Sequence, residues 1–152
     1  MTTNSYRVST VIPDETHTYQ QVAGCFCLYE GRFLLLKRHP EKSQGGKWCL
    51  PGGKKENHET HEQTAARELM EETSIKVCLD DLIIISPFCI ESTHNKVIFH
   101  AYGVKFKELP KVEILLEESI EYRWTNFSEL HDIPLIKGGK EILEACLNFL
   151  NG

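Results

Sequence analysis

Glu68, Glu71 and Glu72 stand at i, i+3 and i+4, and Gly52 and Gly53 lie a short way upstream. On an α-helix that spacing puts three carboxylates on one face. Six Glu residues fall within the 17 positions from Glu56 to Glu72. Like charges so placed repel, so a helix that crowds them calls for a cation. Carboxylate oxygens are hard ligands and suit Mg²⁺ or Mn²⁺. The arrangement points to a divalent-metal site for phosphate chemistry. The plain alternative is a solvated acidic helix face, and spacing alone leaves both open.

Written as a pattern, Gly53 to Ile75 is G-x₅-E-x₇-R-E-L-x-E-E-x-S-I. This resembles the Nudix box, G-x₅-E-x₇-R-E-U-x-E-E-x-G-U with U aliphatic, at every position but one. Ser74 stands where the family has Gly. The resemblance runs from about Gln21 to Leu150. It implies an α/β/α sandwich with a mixed sheet between helices, and a pyrophosphohydrolase acting on a nucleoside diphosphate linked to a further group X. It also implies that Glu68, Glu71 and Glu72 carry Mg²⁺ (or Mn²⁺), with the Gly52 carbonyl as a further ligand. Divalent cations neutralise a crowded pyrophosphate and lower the pKa of a water. Arg67 is expected to pair with Glu59 and fix the loop against the helix, a task that suits its planar fork.

The general base in such enzymes comes from the box or from a Glu outside it. Here the outside candidates are Glu117, Glu118 and Glu121. Glu121, in E-Y-R-W, is favoured, binding metal or the attacking water, and Glu118 comes next. The bland reading makes all three solvated loop charges. Arg38 resembles the MutT-type arginine that approaches substrate, with Lys54, Gly53 and Lys37 as weaker contacts. Phe26, Phe99, Tyr102 and Trp124 are the aromatics for stacking on a base, though core packing competes for each. His39, His94 and His100 show no pairing.

The run G-K-W-C-L-P-G-G-K-K-E resembles small MutT-type enzymes and favours (deoxy)nucleoside triphosphates, oxidised ones included. The MutT-type substrate Asn near the last helix has no counterpart, for Ile136-Lys137-Gly138 occupy that neighbourhood. ADP-ribose or another sugar nucleotide stays open, as does a catalytically silent nucleotide-binding module. The family Gly at Ser74 eases a turn where φ > 0 is common. Ser there predicts a strain cost of about 1 kcal/mol and reduced stability rather than lost activity.

The elements follow from pattern. Residues 1–18 read as an extension, either an added strand or a loose arm, before a domain spanning 19–152. Gln21–Tyr29 and Arg32–Lys37 read as strands joined by a turn at Glu30-Gly31. His39–Lys47 reads as a loop, and Trp48–Leu50 as a short extended piece. Thr60 starts the helix with Gln63 in a capping box, and the helix ends near Thr73 or Ser74. Leu79–Ile90 holds the run Leu82–Ile85, read as a buried strand, and pairs through a turn at Ser92–Asn95 with Lys96–Phe106. Leu109–Ser119 reads as a loop, Ile120–Thr125 as a strand, and Ser128–His131 as a helical turn. Gly139–Asn151 reads as a helix with Ile142, Leu143, Cys146, Phe149 and Leu150 on one stripe and Gly152 beyond its end.

The chain has 152 residues, 41% hydrophobic and 26% charged, as expected of one soluble globular domain. Its net charge of −5 argues against a general surface for duplex nucleic acid. No apolar run approaches a membrane span of roughly 18 residues. The polar first residues lack a signal-peptide core, which points to the cytoplasm. The six cysteines form no CxxC pair and read mostly as small buried hydrophobes. The implied partner is a small nucleotide, and the extension could pair subunits as a homodimer.

Overall fold

The computed structural model describes residues 5–151, the last two by their backbone alone. The Leu150 side chain and Gly152, assigned above to the terminal stripe and helix end, lie outside the described residues, as do residues 1–4. Strands β1 (Tyr6–Ser9), β2 (Gln20–Tyr29), β3 (Arg32–Arg38), β4 (Trp48–Cys49) and β5 (Gly52–Lys54) precede helix α1 (His61–Thr73). Then come β6 (Ile83–Ser92), β7 (Lys96–Lys105), β8 (Ser119–Thr125) and helix α2 (Gly139–Asn151). The main strand order is β1-β6-β7-β2-β3-β4, with β5 on β2 and β8 on β3. β2 and β7 run parallel and the other pairs antiparallel, so the sheet is mixed.

The period-2 geometry of β2 and β3 feeds two cores at once. Phe26, Leu28, Phe33 and Leu35 join Ile142, Leu143 and Cys146 of α2. Ala23, Cys25, Cys27, Leu34 and Leu36 join Ala65 and Leu69 of α1. Neither face of these strands meets water, which is why their sequences read as near-continuous apolar runs. A helix covers each face, giving the expected α/β/α sandwich. Glu30 and Gly31 turn β2 into β3, both with positive φ (45° and 74°), as a two-residue hairpin loop requires.

Thr60 caps α1. Its side chain accepts from Gln63 N–H at 3.1 Å, and Gln63 Oε1 accepts from Thr60 N–H at 2.8 Å. The helix ends at Ser74 in the left-handed region (φ 66°). The loop before β8 docks on that end: Glu113 and Leu115 donate N–H groups to the carbonyls of Thr73 and Glu72 at 2.9 and 3.2 Å.

The N-terminal segment is an added strand, for Tyr6–Ser9 pair with Cys89–Ser92 of β6. Glu91 pins it, accepting from Arg7 at 2.9 Å and from the Tyr19 hydroxyl at 3.0 Å. The run Leu82–Ile85 does not form the buried strand that its apolar pattern predicts. Leu79–Asp81 form a 3₁₀ turn, the strand starts at Ile83, and Ile83 and Ile84 are 51% and 68% exposed. β1 covers only the far half of β6, and a bulge near Ile84 interrupts the pairing with β7, so this apolar run lies at an open edge. Cysteines 25, 27, 89 and 146 are buried, Cys49 is half-buried and Cys78 exposed. No helix among the described residues is long and apolar enough to cross a membrane.

Candidate active site

Gly52 and Gly53 thread β5 between β2 and α1. A Cβ on Gly53 would lie 2.4 Å from Glu68 Cδ, and one on Gly52 would lie 2.6 Å from the Ala23 carbonyl oxygen. Only glycine lets the strand pass this close to the helix. The Gly52 N–H donates to Glu72 Oε2 at 3.0 Å, which ties the far end of the carboxylate face to the same strand.

Arg67 holds the near end. Its guanidinium grips Glu59 bidentately, Nε to Oε2 at 3.0 Å and an Nη to Oε1 at 2.7 Å. It also donates to Glu68 at 2.9 Å, to Glu71 at 3.2 Å and to the Lys54 carbonyl at 3.0 Å. Loop, strand and helix are thus locked by one side chain. Glu59 is buried and further accepts from the Thr64 hydroxyl at 2.8 Å and the Glu56 N–H at 2.9 Å. These donors, Arg67 first, hold its carboxyl at about 2.

Burial has the opposite effect on the neighbours. It raises the Glu68 carboxyl above the usual range, against the pull of Arg67. Glu72 is pushed up to about 8, by burial first and then by Glu68, and the Gly52 N–H opposes the rise. Glu118 adds to the repulsion on both. Two crowded, desolvated carboxyls are what an incoming cation would relieve. Among the described residues, one trio brings its ligand atoms within 4.8 Å of one another: Glu56, His58 and Glu59. Glu59 in that trio is already committed to Arg67.

The carboxylate face opens into a cavity of about 620 Å³. Glu68, Glu71, Glu72 and Glu118 line it together with Gly52, Gly53, Lys54, Arg38 and Lys42. Arg38 is aimed by its loop, donating from Nε to the Ser43 carbonyl at 2.7 Å. The wall built by β6, β7 and α2 is apolar, with Ile90, Val97, Phe99, Ile142 and Leu143.

The structure does not bring Glu121 to this cluster, a correction to the preference for it over Glu118. In the register of β8 on β3, Glu121 pairs with Lys37 and alternates with Tyr122. It therefore turns to the face of Arg123, whose guanidinium lies over the Trp48 ring, away from α1. Glu118 ends the loop just before the strand, faces the cavity, and is met by Lys42 Nζ at 3.0 Å. Glu117 is exposed and outside the cavity lining. Of the aromatics, Phe99 lines the cavity, while Phe26 and Tyr102 are buried in the cores and Trp124 packs on one. Trp48 lines it too and was missed, although it stands in the G-K-W-C-L-P-G-G run. Lys42 carried no signal, because its relation to Glu118 exists only in the fold. His100 stacks on His61 with centroids 3.5 Å apart, away from the cavity lining.

A family model described as the NUDIX domain matches residues 18–146. The chain belongs to the Nudix family. It is 35% identical over 112 residues to a protein named putative 8-oxo-dGTP diphosphatase 3 of Mycobacterium tuberculosis, covering 69% of this chain and 49% of that one. The chain spans about half the length of the first curated relatives it matches. The solved structure of a MutT protein from Methanosarcina mazei Go1 superposes with a TM-score of 0.73 at 27% identity, covering 88% of this chain and 95% of that one. The NUDIX domain of Shewanella oneidensis NrtR, solved with ADP ribose, gives 0.73 at 18% identity over 87% of this chain and 88% of that one, a likeness of fold.

Proposed function

We propose that this chain is a divalent-metal-dependent pyrophosphohydrolase for a nucleoside diphosphate linked to another group, with small nucleoside triphosphates as the leading substrate class. The observation that carries this is the carboxylate face of α1 opening beside Gly52-Gly53 into a cavity rimmed by Arg38, Lys42 and Lys54. Hard oxygen donors from Glu68, Glu71, Glu72 and the Gly52 carbonyl fit Mg²⁺ or Mn²⁺. The cation supplies charge neutralisation of the diphosphate and a lowered pKa for the attacking water.

The chain's own groups do the rest. Arg38, Lys42 and Lys54 bind phosphate oxygens and hold the linkage in line for attack. Glu118 takes the proton as the water oxygen forms its bond to phosphorus and the bridging P–O bond breaks. Arg67 positions Glu68 and Glu71 from behind. The apolar wall with Phe99, and Trp48 beside it, receives the base. The products are a nucleoside monophosphate and pyrophosphate, or a phosphorylated X.

The name of the M. tuberculosis relative favours an oxidised deoxynucleoside triphosphate. A second reading, ADP-ribose or another sugar nucleotide, draws support from the ADP-ribose complex of the NrtR domain and from the lack of a MutT-type Asn in the Ile136-Lys137-Gly138 neighbourhood. The intact set Glu59, Arg67, Glu68, Glu71 and Glu72 argues against a silent binding module. The test is a hydrolysis panel of nucleoside triphosphates, 8-oxo-dGTP, ADP-ribose, dinucleoside polyphosphates and sugar nucleotides with Mg²⁺ or Mn²⁺. Turnover abolished by Glu71→Gln supports the reading. No turnover on any member by folded, metal-binding protein would turn it toward a binding module.

A further inference from the structure

The catalytic cavity has a neighbour. A second cavity of about 290 Å³ is lined by Tyr6, Gln44, Lys47, Leu135, Ile136 and Lys137. Four of these, Gln44, Leu135, Ile136 and Lys137, also line the first cavity, so the two share a wall. That wall is tied down. Gln44 sits in the left-handed region at φ 54°, and its Oε1 accepts from the Lys137 N–H at 2.7 Å. The Trp48 N–H donates to Pro134 O at 2.8 Å, and the Ile136 N–H donates to Trp48 O at 3.1 Å. Added strand β1 brings the third side, where the Tyr6 hydroxyl donates to Glu141 Oε1 at 3.0 Å.

The charge of this second cavity is positive on a chain whose net charge is −5. Lys42, Lys111 and Lys140 each stand in an ion pair. Among the described residues Lys47 and Lys137 have no such partner, and Glu141 in the first turn of α2, which keeps its negative charge while accepting from Tyr6, is outside the cavity lining. Lys137 also stands just before α2, whose amino-terminal end carries partial positive charge. Lys47 and Lys137 both line this small cavity, so their like charges repel across it beside the apolar Leu135 and Ile136. An anion is the ligand that relieves this, and lysine binds phosphate as a point charge.

We propose that the second cavity is an anion subsite that takes a phosphate group on Lys47 and Lys137, and that this phosphate belongs to an extended substrate lying across the Gln44–Lys137 wall. The site stands on its own geometry, and its assignment to substrate rests on the hydrolase reading. A free phosphate species offers the same chemistry, and the test separates the two sources.

Tripolyphosphate is titrated into the full chain by calorimetry, in EDTA at low salt. Without divalent cations the carboxylates of the first cavity oppose an anion there. Saturable binding that weakens at least tenfold in Lys47→Gln/Lys137→Gln, with Tm unchanged, is the expected result. The Lys47→Arg/Lys137→Arg variant should retain it. Absent binding, or binding unchanged in the Gln double variant, overturns the site. With Mg²⁺, kcat/KM is then compared for a nucleoside tetraphosphate and for a nucleoside diphosphate bearing a neutral sugar. A fall of at least fivefold in their ratio in the Gln double variant supports the substrate assignment. An unchanged ratio overturns it in favour of a free anion. A chain inactive on every substrate would defeat the hydrolase reading while leaving the EDTA titration valid.

Discussion

The Glu68 carboxylate lies against the Cα of Gly53, so close that a Cβ there would stand 2.4 Å from Cδ and 2.6 Å from Oε1. The glycine thus sets the position of a candidate metal ligand. Gly53→Ala should displace Glu68 and lower kcat by about 10²-fold, the scale of a misplacement near 1 Å. Melting should change little, because a side chain at a cavity edge can turn away. A Gly53→Ala enzyme with wild-type turnover would show that Glu68 tolerates the shift.

The general base is decided by comparing two conservative variants. Glu118→Gln should reduce kcat by about 10²–10⁴-fold, the usual contribution of a positioned base. Glu121→Gln, on the opposite sheet face, should leave it within about twofold by the same measure. The reverse ranking would return the role to Glu121.

Arg67 joins four residues of loop, strand and helix, so its removal should cost both stability and rate. Arg67→Ala leaves Glu59 buried without its partner, a loss of about 3 kcal/mol. Arg67→Lys restores charge but not the bidentate fork, and should fall between the two in denaturant midpoint. Equal midpoints for Lys and Arg would mean that charge alone holds the loop.

These roles differ in how much of them the sequence discloses. The box disclosed the carboxylate face of α1 and the Arg67–Glu59 pair because both are local, within one helix and the loop before it. The β2 and β3 runs disclosed buried strands because both their faces meet a core. The Ile83-Ile84 run misled, because nothing in the segment reveals that its strand edge lies open. Glu118 and Glu121 could not be ranked, because strand register decides which face each takes. The second cavity was invisible for a related reason: Tyr6, Gln44, Lys47 and Lys137 come from three separate segments.

Acid should unfold the chain in two separable windows. Burial lowers His100 to about 4, with His61 stacked on it contributing. A base whose folded value is depressed stabilises fully above its unfolded value near 6.5, and loses that as pH falls toward 4. Glu59, held at about 2 against a usual 4.5, likewise stabilises above 4.5 and loses this as pH falls toward 2. Tm against pH should decline through both windows in a Glu72→Gln background, which removes the opposing gain of that carboxyl, raised to about 8, as pH falls toward 4.5. His100→Phe should flatten the upper one and Glu59→Gln the lower. A profile unchanged in both variants would assign acid unfolding to other groups.

Ser74 gives a test whose sign depends on two opposed effects. Its backbone is left-handed at φ 66°, ψ 13°, where a Cβ costs about 1 kcal/mol. Its hydroxyl, which glycine would lack, donates to the Glu113 carbonyl at 3.4 Å, on the loop that leads to Glu118. That contact is long, and the Glu113 and Leu115 N–H groups already dock the loop on the helix end. Strain relief therefore outweighs the lost bond, less the added freedom of glycine in the unfolded chain. Ser74→Gly should raise stability by about 0.5 kcal/mol and leave kcat unchanged. A lower melting temperature would show that the hydroxyl bridge outweighs the strain. A fall in kcat at unchanged stability would give Ser74 a part in placing Glu118.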